Sequence, residues 1–201
     1  MSRWLALVIG VIGAIVVTAV IAAASGGRDH TGDTIRASKW ADASCEAVGA
    51  WTGNLKAIRD EYTRNNYAAR QNDGGSGDSV EEAVTLRDAV NRAIRATEDT
   101  LQEGLKRAGN PDVAQGEQAS ATLRAWAQRT EQNLRVAKQA LKDRPKSAAE
   151  AYSLLVTQAS ALARSLQDGR AAFTKVAGLD PALADALQGS RNCTELKETL
   201  P

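Results

Sequence analysis

Apolar side chains recur at intervals of three and four residues in four successive stretches of the chain after residue 36. This period is typical of amphipathic helices, and each stretch is long enough for a helix of about 30 residues. No stretch of alternating β-branched residues competes with it, so the predicted fold class is all-α. The four stripes consist of Trp40, Ala47, Trp51, Leu55, Ile58 and Tyr62; of Ala83, Leu86, Val90, Ile94, Thr97, Leu101 and Leu105; of Leu123, Trp126, Thr130, Leu134, Ala137 and Leu141; and of Ala151, Leu155, Gln158, Leu162, Leu166, Phe173 and Val176.

The segments between the stripes carry residues that end or begin helices. The glycine-rich run at residues 70–77 predicts a flexible loop. Gly109 suits the end of the second helix, and Pro111 suits the opening of the third. A short fifth helix is predicted to start after Asp180 and to end near Gly189.

Four long amphipathic helices joined by short loops bury their apolar faces best as an antiparallel up-down-up-down four-helix bundle. We therefore expect such a bundle, with the short C-terminal helix, at residues 36–201. A linker is expected at 28–35, preceded by an N-terminal transmembrane helix within 1–27. Alanine fills much of every stripe, which favours close approach of the helices and a thin core.

The predicted transmembrane helix runs from Trp4 to Ala24 and carries no charge. As a helix it spans roughly 30 Å, the thickness of a bilayer core. Arg3 precedes it, which favours a cytoplasmic N-terminus and places the C-terminal domain outside. The predicted localisation is therefore the cell membrane, with a single pass. The alternative is a secreted protein, cleaved by a signal peptidase near Ala24, where the small residues suit that enzyme.

Small residues recur every four positions in the same segment, at Gly10, Ala14, Thr18 and Ala22. This spacing lets two membrane helices approach closely, so a homodimer through the membrane helix is one interpretation. The other is that glycine and alanine are simply frequent in membrane helices.

The two cysteines test the predicted topology, because the bundle brings them to the same end. Cys45 lies early in the first helix, near the membrane, and the fourth helix returns the chain to that end before Cys193. An exported chain meets an oxidising compartment, so we expect a disulfide between Cys45 and Cys193. Two unpaired buried thiols and a redox-active pair are the alternatives. The second would need a nearby charge that lowers the pKa of one thiol, and none is visible.

Charge and side-chain chemistry argue against several function classes. Arg3 is the one charged residue in the first 27, so the rest of the chain has 24 basic and 24 acidic side chains. Nucleic-acid-binding domains show an excess of basic residues instead. His30 is the single histidine and lies in the linker. Acids such as Glu98, Asp99 and Glu131 stand among Arg and Lys at helical spacing, as on solvated faces. We therefore expect no enzyme activity, no cofactor, no metal site and no nucleic-acid partner.

Basic residues cluster around the third loop, at the end of the bundle farthest from the membrane. This basic tip consists of Arg135, Lys138, Lys142, Arg144 and Lys146, opposed in the sequence only by Asp143. A cationic tip suits an acidic protein or an anionic polymer of the envelope as a partner. The alternative is the ordinary preference for Lys and Arg in the last turn of a helix.

Three tryptophans fall in the exported part of the chain. Trp40 and Trp51 are three helical turns apart and share a face, whereas Trp126 lies on another stripe. Core packing is one interpretation of these side chains. The other is an aromatic-lined groove for a peptide or a glycan.

The spacing Trp40-x4-Cys45-x5-Trp51 just beyond an N-terminal hydrophobic segment, with Cys193-x-x-Leu196 near the end, resembles a loose group of small, largely uncharacterised actinobacterial cell-envelope proteins. The resemblance covers both ends of the exported part and not its middle. It implies a location in the envelope and a bridged helical bundle, and it implies no activity.

A second resemblance concerns Trp51-Thr52-Gly53, which is similar to the W-x-G motif of the small helical-hairpin substrates of type VII secretion. In that family the motif occupies the turn between two helices. Here the apolar stripe continues beyond Gly53, which predicts a position inside a helix.

The function we expect from these patterns is a non-enzymatic protein-interaction or spacer module, carried by a single-pass protein of the cell envelope. The alternative is a helical bundle that binds an apolar or amphipathic small molecule between its helices. A cavity between the helices would favour the alternative, and a packed interior would count against it.

Overall fold

The computed structural model describes residues 31–72, 79–141 and 148–199, and every regular element in these ranges is a helix. The elements are α1 (Thr31–Asn72), α2 (Ser79–Ala96), a π-helical segment (Thr97–Gln102), α3 (Glu103–Ala108), α4 (Gly116–Ala140), α5 (Ala148–Ala177), α6 (Pro181–Gly189) and α7 (Arg191–Thr199). The all-α prediction is confirmed. Helix α1 begins at Thr31, inside the segment predicted as a linker, and contains Gly53, so the W-x-G motif does not occupy a turn.

Helix α1 packs antiparallel to the continuous rod formed by α2, the π-helical segment and α3. Near the start of α1, the Trp40 Nε1 donates a hydrogen bond to the carbonyl of Gly109, 3.2 Å away, just after α3. Further along α1, Glu61 forms an ion pair of 2.5 Å with Arg92 of α2. Rising residue numbers in α1 therefore meet falling numbers in the rod, as expected of an antiparallel pair.

Helix α4 packs against α5 and against all three parts of the rod, α2, the π-helical segment and α3. The Trp126 Nε1 donates to the carbonyl of Ser165 at 2.8 Å. Closer to the end of α4, the side-chain amide of Gln158 donates to the carbonyl of Ala137 at 3.1 Å. These two contacts make α4 and α5 antiparallel.

The C-terminal helices α6 and α7 lie against α1, and α6 also contacts α5. The predicted start of α6 is confirmed: Pro181 occupies its first turn, and the Asp180 carboxylate accepts a hydrogen bond from the amide of Ala182 at 2.9 Å. This is the side-chain cap expected of an aspartate before a helix. Helix α7 was not expected, because the prediction leaves Cys193 in a tail after the fifth helix.

The centre of the core is aromatic. Trp51 and Trp126 are 0% and 1% exposed, and their ring centroids lie 5.8 Å apart with the planes at 84°. Phe173 of α5 meets Trp126 on another side, with centroids 6.4 Å apart. Edge-to-face contacts of this kind stabilise beyond the area that they bury. For Trp51 and Trp126 the core-packing interpretation is therefore confirmed. The interpretation that these two side chains line an open groove is wrong.

Two glycines allow the close helix approach that the small residues predict. A Cβ atom on Gly104 would lie 2.5 Å from the Cβ of Ala47, so the rod and α1 touch almost backbone to backbone there. A Cβ atom on Gly169 would lie 2.5 Å from the indole carbon Cζ2 of Trp126. The bulky indole is accommodated because α5 has no side chain at this point.

The second predicted helix is interrupted by the π-helical segment, which the periodicity did not predict. Its first residue, Thr97, is fully buried. The Thr97 hydroxyl donates to the carbonyl of Ala93 at 2.8 Å and accepts a hydrogen bond from Trp51 Nε1 at 3.0 Å. A π-helical turn inserts one residue into the helical register. The insertion coincides with the residue that satisfies the buried indole N–H of Trp51.

The connection between α3 and α4 differs from the prediction. Gly109 ends α3 with a φ of 72°, a conformation that glycine adopts without strain, so its predicted role is confirmed. Pro111 does not open the next helix. Its carbonyl accepts the amide of Val113 at 2.9 Å, and α4 begins at Gly116, where a Cβ atom would lie 1.8 Å from that carbonyl oxygen. The chain folds too tightly around Pro111 for a helix to start there.

Within the described ranges, no helix combines the length and the apolar character needed to cross a membrane. The predicted membrane segment, Trp4–Ala24, and the small-residue seam inside it lie outside the described residues.

Candidate functional site: the disulfide-linked end and the basic surfaces

A disulfide joins Cys45 of α1 to Cys193 of α7, across 148 residues of sequence and with the Cα atoms 5.0 Å apart. The two residues are 1% and 3% exposed. The pairing agrees with the prediction, and the alternative of two unpaired thiols is wrong. Burial of both cysteines hinders attack by thiols in solution, which suits a structural bond better than a redox-active pair.

Polar contacts accompany this bond. The hydroxyl of Ser190, between α6 and α7, donates to the carboxylate of Asp42, and the side-chain amide of Asn192 donates to the Asp42 carbonyl at 3.2 Å. The Ser190 oxygen in turn accepts the amide of Cys193 at 3.2 Å. The start of α7 is thus attached to one turn of α1 by a covalent bond and by hydrogen bonds.

The basic tip is only partly inside the described ranges. Lys142, Arg144 and Lys146 lie outside them. Arg135 forms ion pairs with Glu98 of the π-helical segment and with Glu131 one turn before it in α4. Besides Asp143, which opposes the basic tip in the sequence, two carboxylates thus pair with Arg135.

Glu131 and Arg135 are four residues apart, a spacing at which helical side chains pair, and this local signal is readable in the sequence. Glu98 comes from another helical segment and is brought to Arg135 by the packing of α4 on the rod. With both carboxylates in place, Arg135 contributes little net positive charge to a partner surface, whereas Lys138 has no ion pair within the described ranges.

Each pKa shift resolved in the described part of the chain favours the charged form of its group. The hydrogen bond from Arg135 is the main reason why the pKa of Glu131 is lowered, and a second one from Gln102 acts the same way. The pKa of Arg135 is raised by the same contact. The Arg59 guanidinium lowers the pKa of the Asp60 carboxyl by hydrogen bonding. Such shifts are typical of ion pairs on a helical surface.

No group of three or more His, Cys, Asp or Glu side chains within residues 31–72, 79–141 and 148–199 is arranged to hold a metal ion. His30 lies outside the described residues.

An open groove of about 630 Å³ lies between the first turns of α1 and the end of α3 with the loop after it. This basal groove is lined by Arg36, Lys39, Trp40, Ala43, Arg107, Ala108, Asn110, Pro111 and Asp112. The sequence did not predict this groove, because its cations come from α1 and α3, which are brought together by the packing of these helices. A local indication of the groove's positive charge is the basic pair Lys106-Arg107 in the last turn of α3, of which Arg107 lines the groove.

The chain matches no protein-family model, no curated protein and no solved structure. Its function is therefore inferred from the residues and their geometry.

Proposed function

We propose that this chain is a single-pass protein of the cell envelope, with its N-terminus in the cytoplasm and a non-enzymatic helical bundle outside that serves as a protein-interaction or spacer module. We also propose that it belongs with the small actinobacterial envelope proteins that its Trp and Cys spacing resembles. The apolar segment Trp4–Ala24, with Arg3 before it, would be the membrane anchor.

The observation that carries the proposal is the disulfide between Cys45 and Cys193. Structural disulfides persist in oxidising compartments and are rare in the cytosol. A buried bond that attaches the last helix to the first therefore supports export of everything that follows the apolar segment.

We further propose that the long helices form an up-down-up-down four-helix bundle. The antiparallel contacts of α1 with the rod, of the rod with α4, and of α4 with α5 support this arrangement. In it, α6 would lie between α1 and α5, since it contacts both. Trp51, Trp126 and Phe173 occupy the middle of the described core, which supports a packed module over a bundle that encloses a small molecule.

The experiment is a topology assay on the full chain with a C-terminal epitope, expressed in bacterial cells. We expect the epitope to stay in the membrane pellet after an alkaline wash and to be digested when protease is added to intact spheroplasts. Placing two charges in the apolar segment, Val16→Arg with Val17→Asp, should release the chain from the pellet. The matched control is the same pair of charges in place of the exposed residues Val136 and Gln139, which should leave the chain in the pellet.

An epitope that resists protease in intact spheroplasts would contradict export. A wild-type chain that appears in the medium, shortened near Ala24, would contradict the anchor and favour the secreted alternative.

A further inference from the structure

The basal groove has an uneven distribution of charge. Arg36, Lys39 and Arg107 line it, with Asp112 as the one acidic residue among its lining residues. Asp112 pairs with Arg36, and both side chains are more than half exposed. An exposed pair of this kind is weak, so Arg36 can exchange Asp112 for another anion. Within the described ranges, Lys39 and Arg107 have no carboxylate partner, and both are exposed.

Two apolar residues, Trp40 and Pro111, line the basal groove together with its cations. Trp40 is 3% exposed and is held in place by its hydrogen bond to the Gly109 carbonyl. Pro111 is also buried beside it. The Asn110 side-chain oxygen accepts a hydrogen bond from Arg124 at 3.1 Å, so the amide nitrogen of Asn110 keeps its protons for another acceptor. Cations beside an indole and a proline ring fit an amphiphile whose anionic group is joined to a less polar body.

The basal groove also lies close to the predicted membrane segment, and this step rests on the proposed function. The chain from Ala24 to Thr31 spans at most about 25 Å when extended. The helix from Thr31 to Arg36 adds about 7 Å. A protein anchored through Trp4–Ala24 thus holds the basal groove within roughly 30 Å of the bilayer core, in reach of its surface.

We propose that the basal groove binds the headgroup of an anionic phospholipid of the membrane that anchors the chain. Lys39 and Arg107 contact the phosphate, Arg36 joins them by releasing Asp112, and Trp40 lies beneath the glycerol region. Binding at this place restrains the bundle against the membrane surface. Cations near an anionic bilayer attract it even without a defined pocket, and the groove adds a preferred position to that attraction.

The test uses the full chain reconstituted in vesicles of phosphatidylcholine and phosphatidylglycerol that contain a trace of photoactivatable phosphatidylglycerol. After illumination, mass spectrometry maps the cross-linked peptides. We expect cross-links in the peptides that contain residues 36–43 and 107–112. The double substitution Lys39→Glu with Arg107→Glu should lower their yield at least about tenfold, because each cation contributes about fivefold to the binding of an anionic surface.

Two further variants make the result specific. Lys39→Gln with Arg107→Gln neutralises the same positions without adding repulsion, and because both residues are exposed we expect the fold to be unchanged. The matched control is Arg87→Glu with Arg129→Glu, which changes the net charge equally at exposed positions of α2 and α4 outside the basal groove. It should retain the wild-type yield within about twofold. If the control and the variant Lys39→Glu with Arg107→Glu lost equal fractions of the cross-link yield, the proposal would be overturned, since only net charge would then matter.

Two further measurements are needed. One distinguishes a lipid phosphate from free phosphate as the bound anion, and the other distinguishes failure of the groove proposal from failure of the proposed function. Inorganic phosphate, added against sodium chloride of equal ionic strength, should leave the cross-links in place; their loss would mean a site for free phosphate and would overturn the lipid assignment. Flotation with vesicles of phosphatidylcholine alone tests the anchor, which does not depend on the groove. A chain that fails to float contradicts the proposed function. If the chain floats, but the Lys39 and Arg107 variants keep the wild-type cross-link yield in the mixed vesicles, the groove proposal alone is contradicted.

Discussion

The indole of Trp126 meets the indole of Trp51 edge to face, with the ring centroids 5.8 Å apart. Each ring also has its N–H satisfied within the core, Trp51 by the hydroxyl of Thr97 and Trp126 by the carbonyl of Ser165. One contact thus links α1 to α4, and the two hydrogen bonds extend it to the π-helical segment and α5. A large amphipathic side chain is accommodated in a core only with its polar atom paired.

Replacing Thr97 by valine tests the hydrogen bond without changing the volume of the side chain much. Thr97→Val leaves the buried N–H of Trp51 without its acceptor, which should lower the free energy of unfolding by about 1–3 kcal/mol. Thr97→Ser should retain most of the stability. Denaturant unfolding of the full chain in mild detergent, followed by circular dichroism, measures both. Equal stability of the wild type and Thr97→Val would show that the bond contributes nothing.

Two glycines inside helices should respond in opposite ways to alanine. Gly169→Ala places a Cβ atom 2.5 Å from Trp126, and we expect a loss of about 1–3 kcal/mol. Gly53→Ala meets no atom within 4 Å and should stabilise α1 by up to about 1 kcal/mol through helix propensity. The same unfolding assay decides between them. Stabilisation by Gly169→Ala would mean that α5 does not pack on Trp126 as described.

Removing the disulfide should loosen the C-terminal helices before the rest of the fold. For Cys45→Ala with Cys193→Ala we expect a loss of about 2–5 kcal/mol. The loop of 148 residues places the chain-entropy effect toward the upper end. Hydrogen exchange should accelerate in α7 much more than in α4, which is the internal control. Unchanged exchange in α7 would indicate that hydrogen bonds such as Ser190 to Asp42 suffice to attach it.

The contacts of Glu131 with Arg135 and Gln102 should make the free energy of unfolding depend on pH in one direction. Contacts with Arg135 and Gln102 lower the pKa of Glu131 below its ordinary value of 4.5, so the folded state holds its proton less tightly than the unfolded chain. The resulting stability is present above pH 4.5 and is lost as the pH falls through the lowered pKa. The difference in melting temperature between the wild type and Glu131→Gln should therefore be greatest near neutral pH and disappear in acid. A difference that persists unchanged at acidic pH would refute the assignment.

Local signals in the sequence predicted local structure well. The stripe around Trp51, the helix end at Gly109 and the helix start after Asp180 each depend on residues within a few positions of one another. Such features require no knowledge of the fold, since a helical period or a cap is complete within one or two turns.

What the sequence did not predict depends on contacts between distant segments. The π-helical segment begins at Thr97, whose hydroxyl accepts a hydrogen bond from a tryptophan in another helix. The pairing of Arg135 with Glu98 follows from the packing of α4 on the rod. Lys39 and Arg107 line the same groove because α1 and α3 are neighbours in the fold, which no local pattern shows. The disulfide was predicted from the expected bundle topology and the expected oxidising compartment, and not from a local pattern.

The most direct test of the account is peptide mapping of the chain from washed membranes, with free thiols alkylated before digestion and without reduction. A buried disulfide in an exported bundle predicts one cross-linked species that joins the peptides of Cys45 and Cys193, with no alkylation at either position. Alkylated Cys45 and Cys193 on separate peptides, in chain recovered intact from the membrane, would contradict both the export of the bundle and the attachment of α7 to α1.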